Sequence, residues 1–196
     1  MTVLTVATLK LFGGHPALDF TNTVDGRGPV PGPDVLRSYG DLLDWAVRLR
    51  ILGEDEAGGL RGSDPDAGAR ALDHAKRFRE ALYRILSDRS AARRDDLDCV
   101  QQTISEAQAA RRLDAGKDGF VWRWREDDLD TVTHRVALAA AELLASSALT
   151  RTRVCASETC RWLFLDQSRP GRRIWCSDEG CGTANRVRRW RRKQGV

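Results

Sequence analysis

The sequence lacks several features that would place it in a common functional class. Among its 196 residues no unbroken apolar run reaches the about 20 residues that a transmembrane helix requires, and the best candidate, residues 136–149, contains a glutamate and two serines. The N-terminus has no basic stretch followed by an apolar core, so we expect no signal peptide, no membrane partner and a cytoplasmic location. Disulfides are not expected in that reducing compartment.

Patterns typical of catalysis are also missing. The three histidines, His15, His74 and His134, are far apart and show no metal-ligand spacing. No Ser-His-Asp order, phosphate-binding loop or open three-ligand metal site is visible. We therefore do not expect an enzyme.

Charge and cysteine are unevenly distributed along the chain. Residues 151–196 contain 12 Lys and Arg against 4 Asp and Glu, a net charge of +8, whereas residues 1–150 carry a net charge of −4. The last 46 residues also hold four of the five cysteines and three of the six tryptophans. This contrast predicts two domains, 1–150 and 151–196, with different functions.

Hydrophobic periodicity predicts a mainly helical body. Apolar residues recur at helical spacing over residues 35–52, 71–86, 95–110 and 129–149. Residues 1–33, rich in proline and glycine, predict one or two short extended segments and a loop. Over residues 111–125 the period changes to two around a glycine-containing turn, which predicts a β-hairpin with Phe120, Trp122 and Trp124 on one face.

The four cysteines of the tail form two matched pairs. Cys155 and Cys160 are separated by four residues, as are Cys176 and Cys181, with fifteen residues between the pairs. Two close pairs joined by a short hairpin are typical of a structural zinc site with four thiolates. A domain of about 40 residues buries too little apolar surface to fold without such a cross-link. We predict one structural Zn²⁺ per chain, with disulfides, a thiol redox switch or an iron–sulfur cluster as alternatives.

The rest of the tail predicts two strands and a basic helix. The strands are expected at residues 162–165 and 172–175, and the helix from 178 to 193, with Val187 and Trp190 facing the small core. So many arginines on one helix repel each other unless anions neutralise them, and nucleic-acid phosphate is the usual partner. The candidate DNA-binding residues are Arg172, Arg173, Arg186, Arg188, Arg189, Arg192 and Lys193.

These motifs resemble two known families. The tail is similar to the CGNR-type zinc finger in its cysteine pairs, in Leu-Phe-Leu-Asp-Gln-Ser-Arg at 163–169 and in Arg-Arg-Ile-Trp-Cys at 172–176. Residues 18–23 and 34–45 resemble the ABATE domain, which precedes this finger in bacterial proteins. The resemblance implies a stress-responsive transcription regulator whose finger binds DNA.

The chain departs from the family at the motif that gives the finger its name. Cys-Gly-Asn-Arg is here Cys-Gly-Thr-Ala at 181–184, and an Asn185-Arg186 pair follows directly. All four metal ligands are kept, so the departure concerns only the role of the family's Asn-Arg pair.

The expected fold is α+β and mainly α, with a helical body, a small β-hairpin and a treble-clef-like zinc finger packed directly against the body. In an ABATE-like sensor body, Asp19, Asn22, Trp45 and Arg79 are candidates for a pocket that binds a small-molecule effector. The alternative is that Asp19 and Asn22 bond the backbone of a turn. For the whole protein, a homodimer, a zinc–thiolate redox sensor, and an RNA- or protein-binding zinc module stay open.

Overall fold

The structure, a computed structural model, describes residues 4–126 and 128–194, except for the side chain of Lys193. The helices are α1 (Pro16–Thr21), α2 (Tyr39–Arg48), α3 (Glu54–Arg61), α4 (Pro65–Ser87), α5 (Arg94–Ala109), α6 (Thr131–Ala145) and α7 (Thr183–Gln194). The strands are β1 (Arg111–Gly116), β2 (Gly119–Trp124), β3 (Thr152–Val154) and β4 (Leu163–Leu165). Short 3₁₀ segments lie at Arg89–Ala91 and Ser147–Arg151, and a π-type turn at Asp178–Gly182. Among these helices, none has the length and apolar character needed to cross a membrane.

Side-chain caps determine where α2 and α4 begin. Before α2, the Ser38 hydroxyl accepts a hydrogen bond from the Asp41 amide at 3.1 Å, and the Asp41 carboxylate accepts one from the Ser38 amide at 2.8 Å. Before α4, the Asp64 carboxylate accepts from the Ala67 amide at 2.8 Å. Both arrangements satisfy amides that a helix leaves unpaired at its N-terminus. The sequence predicted that α2 follows Asp34 directly. The Asp34 carboxylate instead pairs with the Arg79 guanidinium, and α2 begins at Tyr39.

The core is built around a short helix that the sequence did not predict. Residues 1–33 were expected to form only short extended segments and a loop, yet residues 16–21 form α1, which packs against α4, α6 and β4. The His15 ring caps this helix by accepting a hydrogen bond from the Ala17 amide at 3.2 Å. Burial lowers the pKa of His15, which favours the neutral ring that can accept this bond. The flanking glycines and proline indicated a loop but mark the boundaries of a helix instead.

Three aromatic rings hold α1, α2 and α4 together at the centre of the core. The Phe20 ring lies 5.3 Å from that of Trp45 and 6.2 Å from that of Phe78, centroid to centroid. All three side chains are fully buried. Aromatic pairs at such separations contribute more than the burial of their area alone.

The predicted β-hairpin is confirmed, and it lies at the surface. β1 and β2 pair antiparallel, with Leu113 opposite Trp122 and Ala115 opposite Phe120. On this face Phe120 is 76% exposed and Trp122 is 55% exposed.

The tail differs from its prediction in two places. β4 was correctly expected, but its partner is β3 and not residues 172–175, which form no strand. Val187 and Trp190 were expected to face the finger's core and are instead 42% and 62% exposed. The reason is that the buried apolar residues of the tail pack into the core of the body, so α7 covers no core of its own.

The tail packs directly against the body through paired polar groups. The Asn22 side-chain amide donates to the Leu163 carbonyl at 2.8 Å and accepts from the Leu163 amide at 3.0 Å. The Trp162 indole donates to the Val24 carbonyl at 2.8 Å. Leu163, Phe164 and Cys155 belong to the same buried cluster as α1 and α4. The two segments therefore share one core.

Candidate metal centre and basic helix

Two turns bring the four tail cysteines together. Cys155 and Cys160 lie in the loop that joins β3 to β4, whereas Cys176 lies just before the π-type turn that precedes α7 and Cys181 lies within that turn. The Ser177 hydroxyl caps that second turn by accepting a hydrogen bond at 3.1 Å from an amide three residues later. Each turn thus supplies two sulfurs from a few residues of chain, as the spacing predicted.

The distances between the sulfurs suit a tetrahedral metal. The four Sγ atoms all lie within 4.8 Å of one another. The Sγ atom of Cys176 is 3.6 Å from that of Cys160 and 3.7 Å from that of Cys181. Four sulfurs at about 2.3 Å from zinc are separated by about 3.8 Å along each edge of the tetrahedron. The residues present therefore fit zinc without rearrangement of the backbone.

The electrostatics of the cluster also favour a cation. Hydrogen bonds from the thiols of Cys160 and Cys176, and from the amides of Cys176 and Ser157, hold the pKa of Cys155 far below its usual range. The pKa values of Cys160 and Cys176 are raised, first by their hydrogen bonds to Cys155 and then by burial. Four sulfurs this close together repel one another as thiolates, and a bound divalent cation offsets that repulsion.

Two families match the chain. Residues 14–147 match the ABATE family, whose description is "Putative stress-induced transcription regulator". The chain belongs to the ABATE family. Residues 151–194 match the CGNR zinc finger. No curated protein matches the chain at a significant level.

The zinc site of this ABATE protein is structural. Four cysteines supply four thiolates, which complete the tetrahedral coordination that Zn²⁺ prefers and leave no position for water or substrate. When bound, the ion cross-links β3, β4 and the start of α7. That cross-link stabilises a segment whose own apolar surface is small.

The structure separates the candidate DNA-binding arginines into two groups. Arg172, Arg186, Arg188, Arg189 and Arg192 are exposed, and of these Arg186 forms an ion pair with Asp178. The guanidinium of Arg173 lies 4.8 Å from the Phe164 ring and donates to the carbonyl groups of Trp175 and Cys176. Arg173 is thus occupied inside the zinc finger, although it belonged to the candidate set. Lys193 lies outside the residues whose side chains are described.

Asn185 and Arg186, which follow the altered family motif, brace the zinc finger. The Asn185 amide donates to the Cys181 carbonyl at 2.7 Å. The Arg186 guanidinium donates to the Asp178 carboxylate at 2.9 Å and to the Thr183 hydroxyl at 3.0 Å. The pair therefore stabilises the π-type turn that carries the last metal ligand.

The candidate effector residues are packed or paired with protein groups. The buried Asp19 carboxylate accepts a hydrogen bond from the Gly13 amide at 2.8 Å, and burial raises its pKa to about 6. Asn22 bonds the zinc finger as described, and the Trp45 side chain is fully buried. The Arg79 guanidinium donates to both carboxylate oxygens of Asp34, each at 2.9 Å. These contacts place the four residues within the core and its connection to the finger.

A glycine-containing loop of the body, residues 26–28, packs against the first metal turn, which is the turn between Cys155 and Cys160. The sequence did not predict this contact. The Arg27 amide donates to the Cys160 carbonyl at 2.6 Å. A Cβ atom at Gly28 would lie 2.4 Å from the Glu158 carbonyl oxygen, and one at Gly26 would lie 2.6 Å from that of Thr159. Only glycine permits this approach of two backbones. The Gly-Arg-Gly string at 26–28 permits such an approach, but the string alone does not name its partner.

A buried aspartate organises the turn after β4. The Asp166 carboxylate accepts hydrogen bonds from the Ser168 amide at 3.0 Å, the Ser168 hydroxyl at 2.6 Å and the Arg173 amide at 2.9 Å. The Arg151 guanidinium donates to the Asp166 carbonyl at 2.6 Å. Arg169, which lies in the same turn, is exposed.

We expect Asp166→Ala to lower the melting temperature of the zinc-loaded protein by about 3–8 °C, because three amide and hydroxyl donors lose their acceptor. Asp166→Asn keeps one carbonyl oxygen as an acceptor, so its melting temperature should lie between those of Asp166→Ala and the wild type. Thermal unfolding followed by circular dichroism measures this. Unchanged stability together with abolished nucleic-acid binding would instead place Asp166 at the binding interface.

Proposed function

We propose that this protein is a stress-responsive, DNA-binding transcription regulator without enzymatic activity, in which the zinc finger presents α7 to DNA. The observation that carries the proposal is a basic groove between α7 and the first metal turn. The groove has a volume of about 550 Å³. Its lining consists of Ala156, Glu158, Asn185, Arg188, Arg191 and Arg192.

The groove suits a phosphate backbone. It gathers three guanidinium groups, of Arg188, Arg191 and Arg192, against the single carboxylate of Glu158. Within the described part of the chain, no carboxylate lies at ion-pair distance from these three arginines. Guanidinium groups donate hydrogen bonds in a planar fork that matches phosphate oxygens. Binding of DNA would neutralise charge that the protein itself leaves uncompensated.

Two apolar side chains beside the arginines favour nucleic acid over a simple counterion. Val187 and Trp190, one helical turn apart, are exposed on α7. Exposed apolar side chains do not help a basic helix to attract counterions. Nucleic-acid bases, by contrast, present flat rings and thymine methyl groups that such side chains can contact. We therefore assign phosphate contacts to the arginines and base contacts to Trp190.

The affinity for duplex DNA is expected to fall with salt, with a slope of log K against log salt near −3. The slope is about −0.9 for each neutralised phosphate, and three groove arginines supply about three contacts. The double variant Arg188→Ala/Arg192→Ala should flatten this slope by about two and weaken binding to all sequences alike. Fluorescence anisotropy over a salt series measures both quantities.

Two control variants separate charge from base contact. Arg93→Ala/Arg94→Ala removes the same charge from exposed body arginines and should leave the slope unchanged. Trp190→Ala should weaken binding while keeping the slope and the melting temperature, because the ring is exposed and uncharged. The groove assignment is wrong if both arginine pairs alter the slope equally.

Tighter binding to structured RNA at the same salt would favour the RNA-binding alternative, and zinc release by peroxide would favour the redox sensor.

A further inference from the structure

A cavity lies in the body between α3 and the base of the β-hairpin, away from the candidate effector residues. Its volume is about 510 Å³, which is within the range of small-molecule sites. The buried side chains of Leu52 and Leu60 contribute apolar lining, and Trp122 and Trp124 contribute aromatic lining. Thr131, the first residue of α6, also borders it.

The two tryptophans provide a prearranged aromatic surface. They are two residues apart on β2, so both rings project from the same face of the hairpin. The Arg111 guanidinium lies 4.6 Å from the Trp122 ring, and the Arg135 guanidinium lies 5.4 Å from the Trp124 ring. Arg135 is itself held by the Ile51 carbonyl at 2.6 Å. Rings restrained in this way lose less freedom when a ligand binds.

The polar groups around the cavity indicate the charge of its ligand. Three carboxylates border it, from Asp55, Glu56 and Glu126, together with the guanidinium groups of Arg123 and Arg125. This near balance favours neither a strong anion nor a strong cation. The Thr131 hydroxyl is buried beside the cavity and has no hydrogen-bond partner among the described residues, so a polar ligand atom would satisfy it once the side chain rotates toward the cavity.

We propose that this cavity binds an uncharged, planar aromatic molecule that carries a hydroxyl group. Its rings pack against Trp122 and Trp124, and its hydroxyl pairs with that of Thr131. The site gives the body a ligand-sensing role, and it does not depend on whether α7 binds DNA.

The test uses 2-naphthol with the full-length, zinc-loaded protein in isothermal titration calorimetry. We expect a dissociation constant on the order of 1 mM or below, typical of a ligand with few atoms. Decahydro-2-naphthol, which has the same connectivity but no aromatic rings, should bind at least tenfold more weakly. Equal affinity for both compounds, or no binding of 2-naphthol, would overturn the proposal.

Adjacent glycines of α3 offer a matched pair of variants. A Cβ atom at Gly58 or Gly59 would meet nothing within 4 Å, and leucine favours a helix more than glycine does, so both leucine variants should fold. Gly59 borders the cavity and Gly58 does not. Gly59→Leu should weaken 2-naphthol binding at least tenfold, and Gly58→Leu should leave it unchanged. Wild-type affinity in Gly59→Leu would show that the ligand binds elsewhere.

The hydroxyl contact has its own variant. Thr131→Val keeps the shape of the side chain and removes its hydroxyl, so 2-naphthol should bind about fivefold more weakly. An unchanged affinity would overturn the assignment of Thr131 as the polar anchor. Melting curves of all three variants, measured without ligand, establish that each is folded.

Discussion

Cys176→Ser will purify with far less than one zinc per chain, and its melting temperature will fall by roughly 10–20 °C. Serine does not replace a thiolate, and Cys176 lies within 3.7 Å of the sulfurs of both Cys160 and Cys181. Loss of the ion releases β4, whose Leu163 and Phe164 are fully buried in the core shared with α1 and α4. The effect therefore extends beyond the tail, although most of the helices of the body should remain.

Elemental analysis and circular dichroism measure this result, and Cys99→Ser is the matched control. Cys99 is half-buried on α5, outside the metal cluster, and burial raises the pKa of its thiol. The Cys99→Ser protein should keep one zinc. The structural assignment fails if Cys176→Ser retains a full equivalent of zinc, or if the wild type contains none and all four thiols are free.

Arg79→Ala should reduce the free energy of unfolding by about 3–5 kcal/mol, as expected when one partner of a buried ion pair is removed. The Arg79 side chain is only 3% exposed. Besides Asp34, it donates to the Thr23 hydroxyl and the Glu80 carboxylate, each at 2.9 Å. The variant leaves these acceptors buried or half-buried without their donor. Urea unfolding measures the loss.

Two further variants show that burial, and not charge alone, causes this loss. Arg61→Ala breaks an exposed ion pair with Asp44 and should cost less than about 1 kcal/mol. Arg79→Lys keeps the charge but not the paired donors, and should fall between Arg79→Ala and the wild type. Equal losses in Arg61→Ala and Arg79→Ala would contradict the assignment.

The contribution of this ion pair should depend on pH. Burial raises the pKa of Asp34, but the hydrogen bonds and charge of Arg79 lower this pKa by more than burial raises it, so the net shift is downward. A carboxyl group with a lowered pKa stabilises the fold above its unfolded value of about 3.9. The difference between the wild type and Arg79→Ala should therefore shrink as the pH falls below about 4.

The predictions from sequence that succeeded rest on local patterns. The two C-x4-C pairs specify four thiolates, because each short turn delivers its two sulfurs and zinc tolerates few other arrangements. The helical spacing that became α4 and the alternation that became β1 and β2 are likewise properties of neighbouring residues. The zinc site and the mainly helical body could thus be predicted without any knowledge of the tertiary contacts.

Other features depend on partners far away in the chain. Val187 and Trp190 share a face of α7 because they are three residues apart, but spacing does not tell whether anything covers that face. The apolar residues that would have met them are instead buried in the body. In the same way, the spacing of arginines did not reveal that Arg173 is occupied by the carbonyl groups of Trp175 and Cys176.

The sequence by itself therefore determined the metal, its ligands and the basic character of α7, since composition and short spacings are sufficient for these. Only the tertiary structure decided how the finger is oriented and where a cavity remains. Asn22 bonds Leu163 across 141 positions of the chain, and Gly28 meets the metal turn across a similar separation. Contacts of this kind are selected by the packing of the whole core, because each must satisfy buried polar groups that no local pattern identifies.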